Sequence, residues 1–188
     1  MVSDSLADKR HRLTGEELWA MGDIGPCELI DGRIVQKAHA NFQHGLLVVT
    51  IGSTLGGFTK QQRCGRVVMG GVGLYTRRNP DRVRGVDIAF ISYQRLPGHM
   101  PKAYFTVAPE LIIEIVSPTD RWSDFRQKLE EYFSIGVERV WIIEPEDRVV
   151  LVYRSSTEST RLTETDTLRG EGLLDGFIMP VADLFMQE

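Results

Sequence analysis

Cysteine is scarce: two thiols in 188 residues, Cys27 and Cys64, make neither a disulfide framework nor a zinc site. Free thiols in a cytoplasmic protein are the expectation. Long hydrophobic runs are missing as well. LIIEIV and GLLVVTIG stop far short of the ~18 apolar residues that span a bilayer, and the opening MVSDSLADKRHR lacks the apolar centre of a secretory leader. Familiar nucleotide and hydrolase signatures are absent. GGVG near Gly71 is no dinucleotide fingerprint, and the chain has no P-loop, no nucleophile elbow and no HExxH. His11, His39 and His99 show no metal-ligand spacing among themselves.

What is present is an ordinary globular composition. With 42% apolar and 26% charged residues and 8 prolines, the chain is neither mostly disordered nor collagen-like. Its length supports one hydrophobic core, so residues 1–188 read as a single domain. Residues 1–12 are expected to be a flexible lead-in, and residues 155–188 an acidic extension packing on the core. The net charge of -4 is uneven: from Ser155 onward two Arg face seven acidic residues, leaving the remainder slightly basic. Within that remainder Arg77, Arg78, Arg82 and Arg84 cluster, diluted only by Asp81. Two readings stay open, a solvated hairpin loop or a contact to nucleic-acid phosphates.

The pattern along the chain is mixed αβ, without repeats. Thr14 and Glu17 form a capping-box pair at the start of a short helix. Asp31-Gly32 between two β-prone runs predicts a hairpin. A helix is expected from about Asn41 to Phe58 with Phe42, Leu46, Val49 and Leu55 near one face, despite four glycines. VVMGGVGLY reads as a strand whose glycines mark a bulge or a strong bend, and GVDIAFI and PELIIEIV as buried strands separated by a loop with Pro97 and Pro101. Ser117-Pro118-Thr119-Asp120 opens a helix that Gly136 ends. VERVWIIEP and RVVLVYR then form a hairpin, and PVADLF a short final helix.

Two of those apolar strands carry a central carboxylate, Asp87 and Glu114. A buried ionised carboxylate is costly unless paired or bound to a cation. Strand parity groups Asp87 with Ala89 and Ile91, and Glu114 with Glu110, Ile112 and Val116. If the strands are neighbours the two carboxylates converge, either on a cation or in a buried ion pair. On the following helix Phe125, Leu129, Tyr132 and Phe133 form the core stripe, with Lys128 and Asp124 beside it. Lys128 can therefore reach back toward the carboxylates, or pair with Asp124 at the surface. Two carboxylates and a lysine are the parts that metal-assisted phosphodiester hydrolysis uses.

The ordered set ELIDG, NFQHGLLV, VDIAFI, PELIIEIVSPTD, then a lysine-bearing helix and YFSIGVERVWIIEP, resembles the Uma-type nuclease family of the PD-(D/E)XK, restriction-endonuclease-like superfamily. The match runs over roughly residues 13 to 154. Each motif is weak alone; their order is specific. The resemblance implies an α/β fold of the mixed α+β kind, with a restriction-endonuclease-like core whose central mixed β-sheet is flanked by helices. It also implies a homodimer. Asp87 matches the metal-binding Asp and Glu114 the acidic residue of the second half-motif. The implied ligands are these two and the backbone carbonyl of Ile115, holding Mg²⁺ or Mn²⁺. Val86 stands where a proline usually precedes the Asp, and Val116 where the motif lysine stands, so the lysine's role passes to Lys128. Glu28, in ELIDG, matches an acidic position beside the metal, or else is a surface carboxylate. His44 matches a recurrent position where it contacts phosphate or metal-bound water, or simply caps the helix.

The function expected is a Mg²⁺-dependent endonuclease that cuts DNA with a metal-activated water. Asp87, Glu114, Lys128 and Glu28 form its catalytic set, and His44, Arg77 and Arg78 its substrate contacts. The competing reading, favoured by Val116, is a catalytically silent DNA-binding or protein-interaction module of the same fold. A hydrolase of smaller phosphate esters is the third. No membrane association is expected.

Overall fold

The computed structural model describes residues 12–96, 98, 102–118 and 120–186. The expected lead-in, apart from Arg12, and Pro97, His99, Pro101 and Thr119 lie outside the described residues. Helix α1 (Gly15–Ala20) opens with the capping box. Thr14 Oγ1 accepts the Glu17 N–H at 3.1 Å, and the Glu17 carboxylate accepts the Thr14 N–H at 2.7 Å. Strands β1 (Cys27–Ile30) and β2 (Arg33–Gln36) turn at Asp31 and Gly32, both at positive φ (53° and 74°), as a two-residue hairpin with right-handed twist requires. Helix α2 (Phe42–Gln62) starts under Asn41, whose side chain accepts the His44 N–H at 2.8 Å. A long hairpin of β3 (Gly65–Arg77) and β4 (Arg82–Ser92) follows. Then come β5 (Leu111–Ile115), α3 (Trp122–Ser134), β6 (Arg139–Glu144) and β7 (Val149–Tyr153). The acidic extension supplies β8 (Ser159–Leu162), β9 (Thr167–Arg169), β10 (Ile178–Pro180) and α4 (Val181–Phe185).

Among the described residues the strands make one eight-stranded mixed sheet and a small β9/β10 ribbon. Only β5 and β6 run parallel within it, joined by α3, since parallel neighbours need a crossover. Helix α3 packs on one face over Val86, Ala89, Ile91, Ile112 and Ile142. Helix α2 and the C-terminal extension cover the other. There Leu47, Ile51 and Leu55 meet Ile88, Phe90 and Ile113, and Phe177 stacks on Trp141 with 5.9 Å between rings. No helix among the described residues is long and apolar enough to cross a membrane.

One expectation fails on α2. Leu55 is buried as expected, but Phe42 is 88% exposed and Leu46 and Val49 also face outward, while Leu47 and Ile51 take the core positions. A glycine sets the contact face. A Cβ on Gly52 would come within 2.1 Å of the Met69 sulfur, so this side of the helix lies close against β3. Apolar periodicity cannot score a position that packs by having no side chain.

The strand arrangement creates a gap. β3 occupies one edge of β4 along its length, so β1, paired at Leu29↔Val83, and β5, paired at Ile88↔Ile113, share the opposite edge end to end. Asp87 sits where they part. Across from it β3 carries one residue too many: the register steps from Met69↔Ile88 to Val72↔Val86, leaving Gly70 and Gly71 (φ 104° and 68°) against Asp87 alone. This bulge kinks the hairpin, which the glycines permit. Val86, Ala89 and Ile91 pack on the α3 side while Ile88 and Phe90 pack on the other, so strict alternation breaks between Val86 and Ile88, at the bulge.

Candidate active site

Continuing the β4–β5 register by one step sets Asp87 opposite Glu114. Asp87 Oδ2 accepts the Ile115 N–H at 2.8 Å and lies 3.1 Å from His44 Nε2, so α2 and β5 both hold it. Its Oδ1 receives no hydrogen bond among the described residues. The Asp87 hydrogen bond holds the His44 imidazole above its usual pKa range, against the opposing effect of burial.

Glu114 points to the α3 face and is 3% exposed. Lys128 donates to its Oε2 at 2.9 Å, and the Tyr132 hydroxyl donates to its Oε1. Burial pushes the Glu114 carboxyl up to about 7, with the nearby Asp87 charge adding to the effect and Lys128 opposing it. Burial alone would lower the Lys128 pKa; Glu114 and Glu28 outweigh it and hold the ammonium above its ordinary range.

Glu28 is buried as well, 3.6 Å from the Lys128 ammonium. Arg84 donates to its Oε2 at 2.9 Å and the Gly85 N–H to its Oε1 at 3.3 Å. Arg84 also pairs with Glu131 of α3 at 2.8 and 2.7 Å. Burial would raise the Glu131 carboxyl; its bonds from Arg84 hold it below the ordinary range instead. Alternating charges thus run from Glu114 through Lys128, Glu28 and Arg84 to Glu131. No buried side-chain nitrogen or oxygen among the described residues lacks a partner.

Asp87, Glu114, Glu28, Lys128, His44 and Ile115 all line one open cavity of about 650 Å³. The structure therefore brings together the expected catalytic set and His44. Arg77 and Arg78 stand elsewhere. Arg77 bonds Asp31 and the Pro80 carbonyl; Arg78 bonds Glu16 at 2.9 Å and Asp81 at 3.2 Å and lies 3.5 Å over the Tyr75 ring. Arg82 likewise bonds Asp31 and Glu131. No pairing of Lys128 with Asp124 is seen, since Lys128 turns inward. Tyr132 reads in the sequence only as part of the core stripe, and its one signal is that a buried tyrosine hydroxyl needs a partner.

Among the described residues no three or more His, Cys, Asp or Glu are gathered as a metal cage. The candidate donors are the carboxylates of Asp87 and Glu114 with the Ile115 carbonyl beside them. Hard oxygens in small number suit a cation that retains several waters, as Mg²⁺ and Mn²⁺ do. The cavity's charge points the same way. Among the described lining residues Glu28, Asp87, Glu114, Asp120 and Asp124 outnumber Lys37 and Lys128, and the raised pKa values of Glu114 and His44 reduce but do not remove the excess of acidic groups. Such a cavity attracts a cation.

Residues 12–182 match the Uma2 family, described as "Putative restriction endonuclease", and the chain belongs to that family. The family match identifies this mixed sheet flanked by helices, with acidic residues where its central strands part, as a restriction-endonuclease-like fold. A crystallised protein from Anabaena variabilis ATCC 29413, described as "a putative nuclease belonging to DUF820", shares the fold. Its TM-score is 0.80 at 22% identity, covering 92% of this chain and 97% of that one. No curated protein matches the chain.

Proposed function

We propose that the protein is a divalent-cation-dependent nuclease that hydrolyses DNA phosphodiester bonds. The observation that carries this reading is the meeting of Asp87, Glu114 and Lys128 in one open cavity, with Lys128 Nζ 2.9 Å from Glu114. Asp87, Glu114 and the Ile115 carbonyl would hold the cation, Mg²⁺ or Mn²⁺. When bound, it supplies charge neutralisation at the scissile phosphate and lowers the pKa of a water.

The chain's own residues do the rest. The Ile115 N–H and His44 fix the Asp87 side chain through Oδ2, leaving Oδ1 unbonded. Tyr132 and Lys128 fix both oxygens of Glu114. Lys128, with its charge sustained by Glu114 and Glu28, stabilises negative charge developing on the phosphate. Arg84 holds Glu28 so that Lys128 stays nearer Glu114, at 2.9 Å against 3.6 Å. His44, with its pKa raised, offers a hydrogen-bond donor to an anionic substrate.

The test is incubation of DNA with Mg²⁺ or Mn²⁺, with and without EDTA. Metal-dependent cleavage supports the proposal. A second reading, the silent module, draws on Val116 and on the fact that both Glu114 oxygens are already bonded. DNA bound but uncut in either metal would favour it.

A further inference from the structure

Among the described residues positive charge is sparse around the cavity, and one of the two lysines lining it has no role in the reading above. Lys128 is committed to Glu114 and Glu28. Among these residues Lys37 is held only by a long ion pair. Its nearest acid, Asp120 Oδ1, is 3.6 Å away, and among the described residues nothing accepts a hydrogen bond from its ammonium. The side chain is 34% exposed, so this ion pair is weak.

Both partners have fixed backbones. The Lys37 N–H donates to the Pro26 carbonyl at 2.8 Å, tying the residue after β2 to the residue before β1. Asp120 Oδ2 accepts the Ser117 N–H at 2.9 Å, which pins the connection from β5 to α3. The two residues stand on different connections that both line the cavity. Arg77, Arg78, Arg82 and Arg84, which the sequence offers as phosphate ligands, are held by carboxylates and contribute nothing to this wall.

We propose that Lys37 binds a non-scissile phosphate of the substrate strand, exchanging Asp120 for a phosphate oxygen. The inference rests on the nuclease reading above. Asp120 acts as a counter-ion that keeps Lys37 in place when the cavity is empty and competes with substrate when it is not. The two side chains thus have opposite effects on affinity.

The experiment compares wild type with Lys37→Met, Lys37→Arg and Asp120→Asn. It measures cleavage kinetics on a short DNA oligonucleotide with Mg²⁺ and the salt dependence of binding the same oligonucleotide with Ca²⁺. Lys37→Met should raise KM several-fold with little change in kcat. It should also reduce the slope of log affinity against log salt by about 1, one phosphate contact. Lys37→Arg should restore both, and Asp120→Asn should lower KM. A Lys37→Met protein with wild-type KM and slope overturns the proposal. So does equal weakening by Lys37→Met and Asp120→Asn, which would mark the ion pair as merely structural. Wild-type hydrolysis of bis(4-nitrophenyl) phosphate with Mn²⁺ is followed alongside. If wild type cleaves neither that diester nor DNA, the nuclease reading falls and Lys37 with it. If it cleaves them and Lys37→Met behaves as wild type on DNA, only the Lys37 assignment falls.

Discussion

Replacing Lys128 by methionine removes the ammonium that touches both Glu114 and Glu28, yet keeps most of the apolar length of the side chain. The consequence for stability depends on pH. The Glu114 carboxyl sits at about 7 in the folded protein against an ordinary 4.5. Between those values the folded state binds more protons than the unfolded chain, so stability falls as pH rises through that window, by about 3 kcal/mol in wild type. Lys128 opposes this penalty, and removing it drives the carboxyl further up and extends the fall above pH 7. At low pH Glu114 is neutral with or without the lysine, and the substitution costs little through this pair. At high pH it strands a buried charge, and breaking such a pair costs about 3–5 kcal/mol. Urea denaturation at about pH 5.5 and about pH 8.5 reads the difference. The Lys128→Met destabilisation should be clearly larger at the higher pH, and DNA cleavage should be lost even at high pH, where Glu114 is ionised and Mn²⁺ still binds. Equal destabilisation at both pH values would refute the coupling. Full cleavage by the variant would refute the catalytic role.

Arg84→Met leaves Glu28 and Glu131 without their shared buried cation, and urea denaturation should show a loss of about 3–5 kcal/mol. Arg84→Lys should restore little of it, because one ammonium cannot reproduce the fork that bridges two carboxylates. On α2, Ile51→Ala should cost about 2–5 kcal/mol and Phe42→Ala no more than about 0.5 kcal/mol, and thermal denaturation of the pair checks which face is buried.

Local signals carried well into the structure. The Thr14/Glu17 capping box, the Asp31-Gly32 turn and the glycine bulge before Val72 each depend on a few neighbouring residues, and each formed where expected. The juxtaposition of Asp87 and Glu114 was legible because a carboxylate inside an apolar strand demands an explanation. Helical spacing put Lys128 beside the core stripe and left its inward reach and a surface pair with Asp124 both open; the structure shows the former. Long-range partners were not legible. The Arg77 to Arg84 cluster reads as free basic surface until the fold brings Asp31, Glu28 and Glu131 to it from other elements. The α2 face was obscured by Gly52, and the break in alternation at Asp87 by a bulge whose effect lies on the neighbouring strand. Three short strands of the acidic extension, β8 to β10, left only a weak pattern, since strands of three or four residues are too short to show a period.

The central claim is that Asp87 and Glu114 together hold the cation on which cleavage depends. Calorimetric titration of Mn²⁺ into wild type and Asp87→Asn, with DNA cleavage measured on the same samples, tests it most directly. Asparagine keeps an oxygen for the Ile115 N–H and relieves the charge facing Glu114, while giving up the charge that holds the His44 imidazole, so the variant should fold with stability close to wild type. The account predicts Mn²⁺ binding and metal-dependent cleavage in wild type, with both lost together in Asp87→Asn. Undiminished wild-type cleavage in excess EDTA, or cleavage by Asp87→Asn at the wild-type rate, would contradict it.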